Sequence, residues 1–410
     1  MPEIVAGDTA WVLVSAALVM LMTPGLGFFY GGLVRKKNVL STIMHSFFIL
    51  CLISVVWALW GFSLAFGDDK GGLVGGLDFI GLKGVGGAPS EIYGTTIPFS
   101  LFMVFQMMFA IITVALITGA FAERKRFKAF VLFSILWSTF VYSPVAHWVW
   151  ATGGWLFDYG ALDFAGGTVV HVASGVTALV AAKMLGKRVG FGREKMDPHD
   201  LTMTVLGAGL LWFGWYGFNA GSALAANGLA ANAFVVTTLS AAMGALTWMT
   251  VSWVRHGQPS VLGAAVGAIA GLVGITPAAG YVSPASSIVI GFGAGILCFF
   301  AVDLLKAGAG IDDALDVFAV HGVGGIWGAL ATGIFAKQSI NGIGADGLLY
   351  GNAEQLLKQV VAVVAVVGYV SIASIVILKL IDLFIGLRVP EGEEVLGLDT
   401  SQHGEIAYQV

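Results

Sequence analysis

The chain has 410 residues, 58 % of them hydrophobic and only 11 % charged, with a formal net charge of −4. So few charges cannot clothe a soluble surface of this length, and the charge balance argues against a nucleic-acid partner. Cys51 and Cys298 lie within apolar stretches and read as buried packing residues, without a disulfide or metal framework.

In chain order, the first eight residues, MPEIVAGD, lack the basic segment of a cleavable signal, and none is expected. Apolar stretches then predict eleven spans at roughly 9–31, 39–66, 97–121, 128–149, 167–185, 200–219, 229–254, 260–277, 285–306, 316–336 and 356–385, judged against the ~20 residues a bilayer-spanning helix needs. Basic residues concentrate on one side: Arg35 to Lys37, Arg124 to Lys128, Lys183 to Lys195, and Arg255, Lys306, Lys379 and Arg388. Only Lys70, Lys83, Lys337 and Lys358 fall on the other. That asymmetry predicts an outer N-terminus and a cytoplasmic C-terminus in an inner (plasma) membrane, as an odd span count requires.

His171 in "TVVHVASGVTAL" and His321 in "FAVHGVGGIWGA" stand 150 residues apart, each in the fifth span of a five-span unit. Each follows an acid, Asp163 or Asp316. Units with an odd number of spans are inverted relative to one another. The expected fold is therefore an all-α membrane protein with two inverted five-helix repeats, about 9–185 and 200–336, plus an eleventh helix at about 356–385. An imidazole at membrane depth either ties two helices together or lines a cavity. Two at equivalent repeat positions favour a shared site, where a neutral pair both donates and accepts hydrogen bonds. No further His or Cys has the spacing of a metal site, and no cofactor is expected.

Asp163, eight residues before His171, suits a helix N-cap and equally a site that attracts a cation at the outer mouth. Aromatics crowd the outer ends of spans four and six, from Trp148 and Trp150 to Trp155 and from Trp212 to Phe218. Most suit an interfacial belt, and some could offer ring faces to a cation in a vestibule. Gly263, Gly267 and Gly271 carry the four-residue spacing of closely packed helices. The stretch after Arg388 is acidic and too polar for lipid, and it is expected to dock on the basic loops at 124–128 and 183–195 through opposite charge.

With these features in hand, the chain resembles the ammonium transporter (Amt) family over essentially its full length. The matching strings are "GFFYGGLVRKKN", "ITVALITGAFAERKRF", "GALDFAGGTVVH", "WYGFNAGSA", "GAIAGLVGITPAAGY", "DVFAVHGVGGI" and "GLRVPEGEEVLGLDTSQHGEIAY". The resemblance implies a homotrimer with one pore per subunit, a membrane unit at 1–387 and a cytoplasmic regulatory tail at 388–410. It assigns Trp150, Phe109 and Ser222 to an outer ammonium-recruitment site, with Asp163 beside it and Gln106 near the mouth. Trp148 is the alternative to Trp150. Phe109 and Phe218 become stacked gate rings, and His171 and His321 the twin pore histidines.

The implied activity is ammonium transport without covalent catalysis: ammonium is recruited, loses its proton at the gate, and passes as ammonia along the histidines. Whether the proton follows is not set by these residues. The resemblance further implies a PII-type signal protein as partner at the tail. An ammonium receptor of the same fold, conducting little, is the alternative. A metal-dependent membrane enzyme would need more ligands than the chain offers.

Overall fold

The computed structural model describes residues 2–408 and is almost entirely helical. Eleven apolar helices organise it: α1 (Ala6–Leu33), α2 (Lys36–Phe66), α3 (Phe99–Phe121), α4 (127–150), α5 (Gly167–Leu185), α6 (Leu201–Ala223), α7 (Gly228–His256), α8 (Val261–Ile275), α9 (Pro284–Gly308), α10 (Phe318–Phe335) and α11 (Ala353–Phe384). Ten of these segments are long and apolar enough to cross a bilayer. The exception, α8, has 15 residues, so the expected span at 260–277 is shortened. It stops just before Pro277, whose ring cannot continue the ladder, and turns fill 276–281. Irregular backbone is tolerated at this depth because protein covers it: every residue from Gly267 to Gly280 is buried.

The two five-helix units meet through repeat-related contacts. α1 packs along α6, with Gly207 against the backbone of Phe29 and Gly25. The first half of α5 lies on the second half of α10, and the first half of α10 on the second half of α5. Gly175 and Gly325, each four residues after its histidine, make that crossing possible. A Cβ on Gly175 would stand 2.2 Å from the Gly322 nitrogen, and one on Gly325 would stand 2.9 Å from the Gly167 carbonyl. Any larger side chain would force the histidine-bearing helices apart. Both histidines also sit in π-helical turns, Gly167–Val172 and Phe318–Gly322, a wider turn often found at functional positions.

The cysteines separate: Cys298 is buried and Cys51 is exposed on α2. The expectation that both are buried is corrected, because in a membrane protein an apolar position can face lipid as readily as the core.

Arg35, Glu123, Arg188, Asp312 and the tail share one face of the bundle, the basic face; Trp150 lies toward the other, the aromatic face. The tail lies on the loops around 124–126 and 185–189, but opposite charge is not what holds it there. Its main chain pairs with the α3–α4 connection, Val389 N–H donating to Arg124 O (3.1 Å) and Arg126 N–H to Leu387 O (3.0 Å). Asp399 accepts from the N–H groups of Leu40 (3.0 Å) and Ser41 (2.8 Å) at the start of α2, where helix N–H groups lack internal partners. Glu394, fully buried, bonds Arg388 of the tail itself and the Val189 N–H. The loop bases turn elsewhere. Arg124 donates to Asp312 O, and Lys125 lies between the rings of Phe121 and Phe133 at 4.2 and 4.4 Å, where burial pulls its pKa down to about 7.

Candidate functional site

A file of three cavities runs through the bundle. The first, about 180 Å³, opens on the aromatic face and is lined by Tyr93, Phe105, Gln106, Phe109, Trp150 and Ser222 among others. The second is narrow, about 10 Å³, and apolar except at its end, where His171 and His321 enter its wall. The third, about 60 Å³, begins at His321 and reaches Asp316 and Leu33 toward the basic face. The first two share no lining residue. Between them stand Phe109 and Phe218, both buried, with rings stacked at 4.2 Å and 22°. Trp150 meets Phe109 edge-on at 5.8 Å and 88°.

Below the rings, His321 Nδ1 and His171 Nδ1 lie 3.2 Å apart, a hydrogen bond in which one ring donates and the other accepts. If both rings are neutral, the accepting ring carries its proton on Nε2 and the donating ring has a bare Nε2. The pair then presents one donor and one acceptor to the file. His171 Nε2 has no partner among the described residues. Trp215 covers the His171 face at 5.4 Å and 21° and donates its indole N–H to Thr276 Oγ1 (2.9 Å). Trp215 is three residues before Phe218, on the same helix face. That spacing is the available sequence signal that this tryptophan lines the second cavity, unlike Phe213, which is exposed.

Ser222 Oγ donates to Phe218 O (2.8 Å), leaving its lone pairs for a donor in the vestibule. Gln106 lines the same vestibule, with Oε1 buried and unpartnered among the described residues. Of the two tryptophans considered, Trp150 is in the vestibule wall. Trp148 turns away, its indole donating to Leu73 O (2.8 Å) beside Trp155 and Tyr369.

Asp163 is not part of that wall. Its carboxylate accepts from the N–H groups of Gly166 (2.8 Å), Gly167 (2.6 Å) and Thr168 (2.8 Å), and from the Thr168 hydroxyl. The N-cap alternative describes this geometry, and direct contact with an arriving cation does not. Its carbonyl takes the Trp150 indole N–H (2.9 Å), which fixes that ring at the vestibule.

The pairing of Asp163 with Asp316 is corrected too. The counterpart is Asp313, likewise eight residues before its histidine and likewise capping by accepting the N–H five residues on, from Phe318 (2.7 Å). Asp316 instead adopts φ +60°, pairs with Lys306 (2.8 Å) and lines the third cavity. Asp163 is saturated, whereas Asp313 keeps a buried Oδ1 without a partner among the described residues. Burial, with the nearby Asp316 charge, pushes the Asp313 carboxyl up to about 6 from 3.8. Its ionised form therefore weakens the fold progressively as pH rises from about 4 to 6, by ~3 kcal/mol once ionisation is complete. Asp313→Asn keeps a capping oxygen and removes the charge. Its thermal midpoint should exceed that of the wild type at pH 7.5, and the advantage should vanish at pH 4; a constant difference across this range would contradict the assignment.

The fold and the file define a class: a polytopic helical membrane protein with an axial pathway interrupted by one ring pair and one histidine pair. Residues 10–408 match the model of the Ammonium Transporter Family, and the chain belongs to that family. It is similar to the ammonium transporter of Bacillus subtilis (55 % identity over 98 % of each chain) and to Ammonium transporter Amt1 of Archaeoglobus fulgidus (49 %; 98 % of this chain and 99 % of that one). Among solved structures it resembles Candida albicans Mep2, with TM-score 0.90 and 42 % identity over 98 % of this chain and 90 % of that one.

Proposed function

We propose that the chain carries ammonium nitrogen across the membrane, recruiting ammonium at the Trp150–Phe109–Ser222 vestibule and passing ammonia along His171 and His321. The observation that carries this reading is the 3.2 Å histidine pair set between two largely apolar cavities. A bare cation entering such a file would lose its hydration at a cost of several kcal/mol or more. Neutral ammonia avoids the cost of desolvating a charge, and the pair offers it both an acceptor and a donor in place of water.

Potassium and ammonium carry the same charge at similar size, so attraction alone cannot separate them. The Ser222 lone pairs favour a cation that donates hydrogen bonds, and the ring faces of Trp150 and Phe109 hold it while dehydration begins. The proton is surrendered above Phe109 and Phe218, since the stacked rings leave only an apolar passage. Asp163 serves as the fixed support of Trp150 and of the start of α5.

The same reading places the basic face in the cytoplasm of a cell with this protein in its inner membrane, since 16 of the 20 Lys and Arg residues fall on that side. It takes 1–387 as the transport unit, assembled as a homotrimer, and 388–410 as a regulatory tail read by a PII-type signal protein. Support for the tail's role is its docking on three separate connections, through which a bound partner could alter the pore ends.

Trp150→Leu and Ser222→Ala test the recruitment step. Each should weaken the apparent affinity for ammonium by about 0.5–2 kcal/mol, the range for a partly desolvated cation–π contact or a hydrogen bond to a charge. Initial rates of ammonium entry into proteoliposomes, measured against concentration, read this directly. Unchanged half-saturation in both variants would move recruitment elsewhere.

A further inference from the structure

α11 lies outside the two five-helix units, yet it carries a fully buried glutamine, Gln359, whose whole amide is engaged. Its Oε1 accepts the Leu162 N–H (2.7 Å), and its Nε2 donates to Leu162 O (2.7 Å) and to Ala329 O on α10 (3.1 Å). One side chain thus pairs with both backbone groups of Leu162, as a neighbouring strand would, and ties that residue to the helix bearing His321. One turn earlier, Gln355 Nε2 donates to Gly160 O (3.0 Å) and braces Gln359 Oε1 (3.3 Å).

What these bonds hold is the segment entering Asp163. From Leu162 the chain passes directly to the carboxylate that caps α5 and to the carbonyl that takes the Trp150 indole N–H. A shift of Leu162 would move the cap and the indole acceptor together, and Trp150 stands edge-on to the gate ring Phe109. Packing alone does not explain the choice of residue. A leucine would fill this apolar helix position without needing three hydrogen bonds, but it would leave the buried Leu162 without those partners for its N–H and carbonyl.

We infer that Gln359, assisted by Gln355, is a positioning residue of the ammonium vestibule, through which α11 sets the place of Asp163 and Trp150. This rests on the transport reading above. It assigns the eleventh helix a part in substrate affinity, in addition to enclosing the bundle.

The test is the concentration dependence of ammonium entry into proteoliposomes for the wild type, Gln359→Leu, Gln359→Glu and Gln355→Leu. Each is normalised to folded protein by size exclusion and thermal midpoint. Gln359→Leu should raise the half-saturating concentration about five-fold or more, with the saturated rate within about two-fold of wild type. Gln359→Glu keeps the length and an acceptor for the Leu162 N–H, so its rise should be smaller. Gln355→Leu, which loses a single bond to the loop, should show the least.

If Gln359→Leu does not fold, the graded rise in the other two variants carries the test. Unchanged half-saturation in the folded variants would overturn the inference. So would a loss confined to folded yield or saturated rate, because that marks a structural glutamine. A wild type without ammonium entry would sink the transport reading and this inference together, whereas variants that match a working wild type would sink this inference alone.

Discussion

Replacing both histidines, His171→Ala with His321→Ala, is expected to abolish ammonium entry while leaving a folded protein. The two rings are each other's hydrogen-bond partners at 3.2 Å, so removing both leaves neither imidazole unpaired. The double variant should for that reason be better tolerated than either single alanine, which strands a buried polar ring at a cost of about 1–3 kcal/mol. What is lost is the pair of ionisable side chains that, among the described residues, lines the second cavity. Ammonia would then cross an apolar tube without an acceptor, and a proton would have no group to occupy. A carboxyl at either position could restore part of the function, since it too can exchange a proton. Wild-type entry in the folded double alanine variant would refute a pore role for these residues.

The second large effect is expected at Asp163. Asp163→Ala removes the partner of four backbone N–H groups and one hydroxyl, all buried. Losing a helix cap costs about 0.5–2 kcal/mol, and stranded buried donors add about 1–3 kcal/mol each. Most of the protein should fail to fold or should unfold at a much lower temperature. Asp163→Asn keeps one oxygen for Gly166 and Gly167 and opposes an amide N–H₂ to the donors of Thr168, or the reverse. It should fold with intermediate stability and a weakened affinity for ammonium, because the Trp150 anchor sits on the same residue. Thermal midpoints and half-saturation measured on the three proteins decide this. A fully stable alanine variant would contradict the capping role, and a stable asparagine variant with normal affinity would contradict the link to Trp150.

The membrane architecture was readable from sequence because a bilayer imposes a length and a composition on each span, and those appear in the raw residue order. The two histidines stood out for the same reason: a polar ring at apolar depth is costly unless used. The expected span at 260–277 overshoots α8 only by Ser260, Thr276 and Pro277, since Pro277 cannot continue the helical ladder. Cys51 differs from expectation because apolar surroundings in sequence do not separate core from lipid.

Three acids, Asp312, Asp313 and Asp316, lie within five residues, and only hydrogen-bond geometry reveals that Asp313 rather than Asp316 caps the helix. Gln359 carries no distinct signal in the sequence, because near a predicted helix end a glutamine reads as an interfacial residue; its partners lie 197 and 30 residues away in sequence. The tail's acidity suggested ion pairing with basic loops. Its attachment instead uses main-chain bonds and carboxylates at backbone N–H groups, which charge patterning does not encode.

The most direct test of the account is entry of ¹⁵N-labelled ammonium into proteoliposomes of the purified protein at pH 6, where free ammonia is scarce and leak through lipid is small. The account predicts entry that saturates with ammonium, exceeds that of protein-free vesicles and is unchanged by an equal concentration of potassium. Folded protein that binds ammonium but admits it no faster than bare lipid would contradict transport and make this chain a receptor.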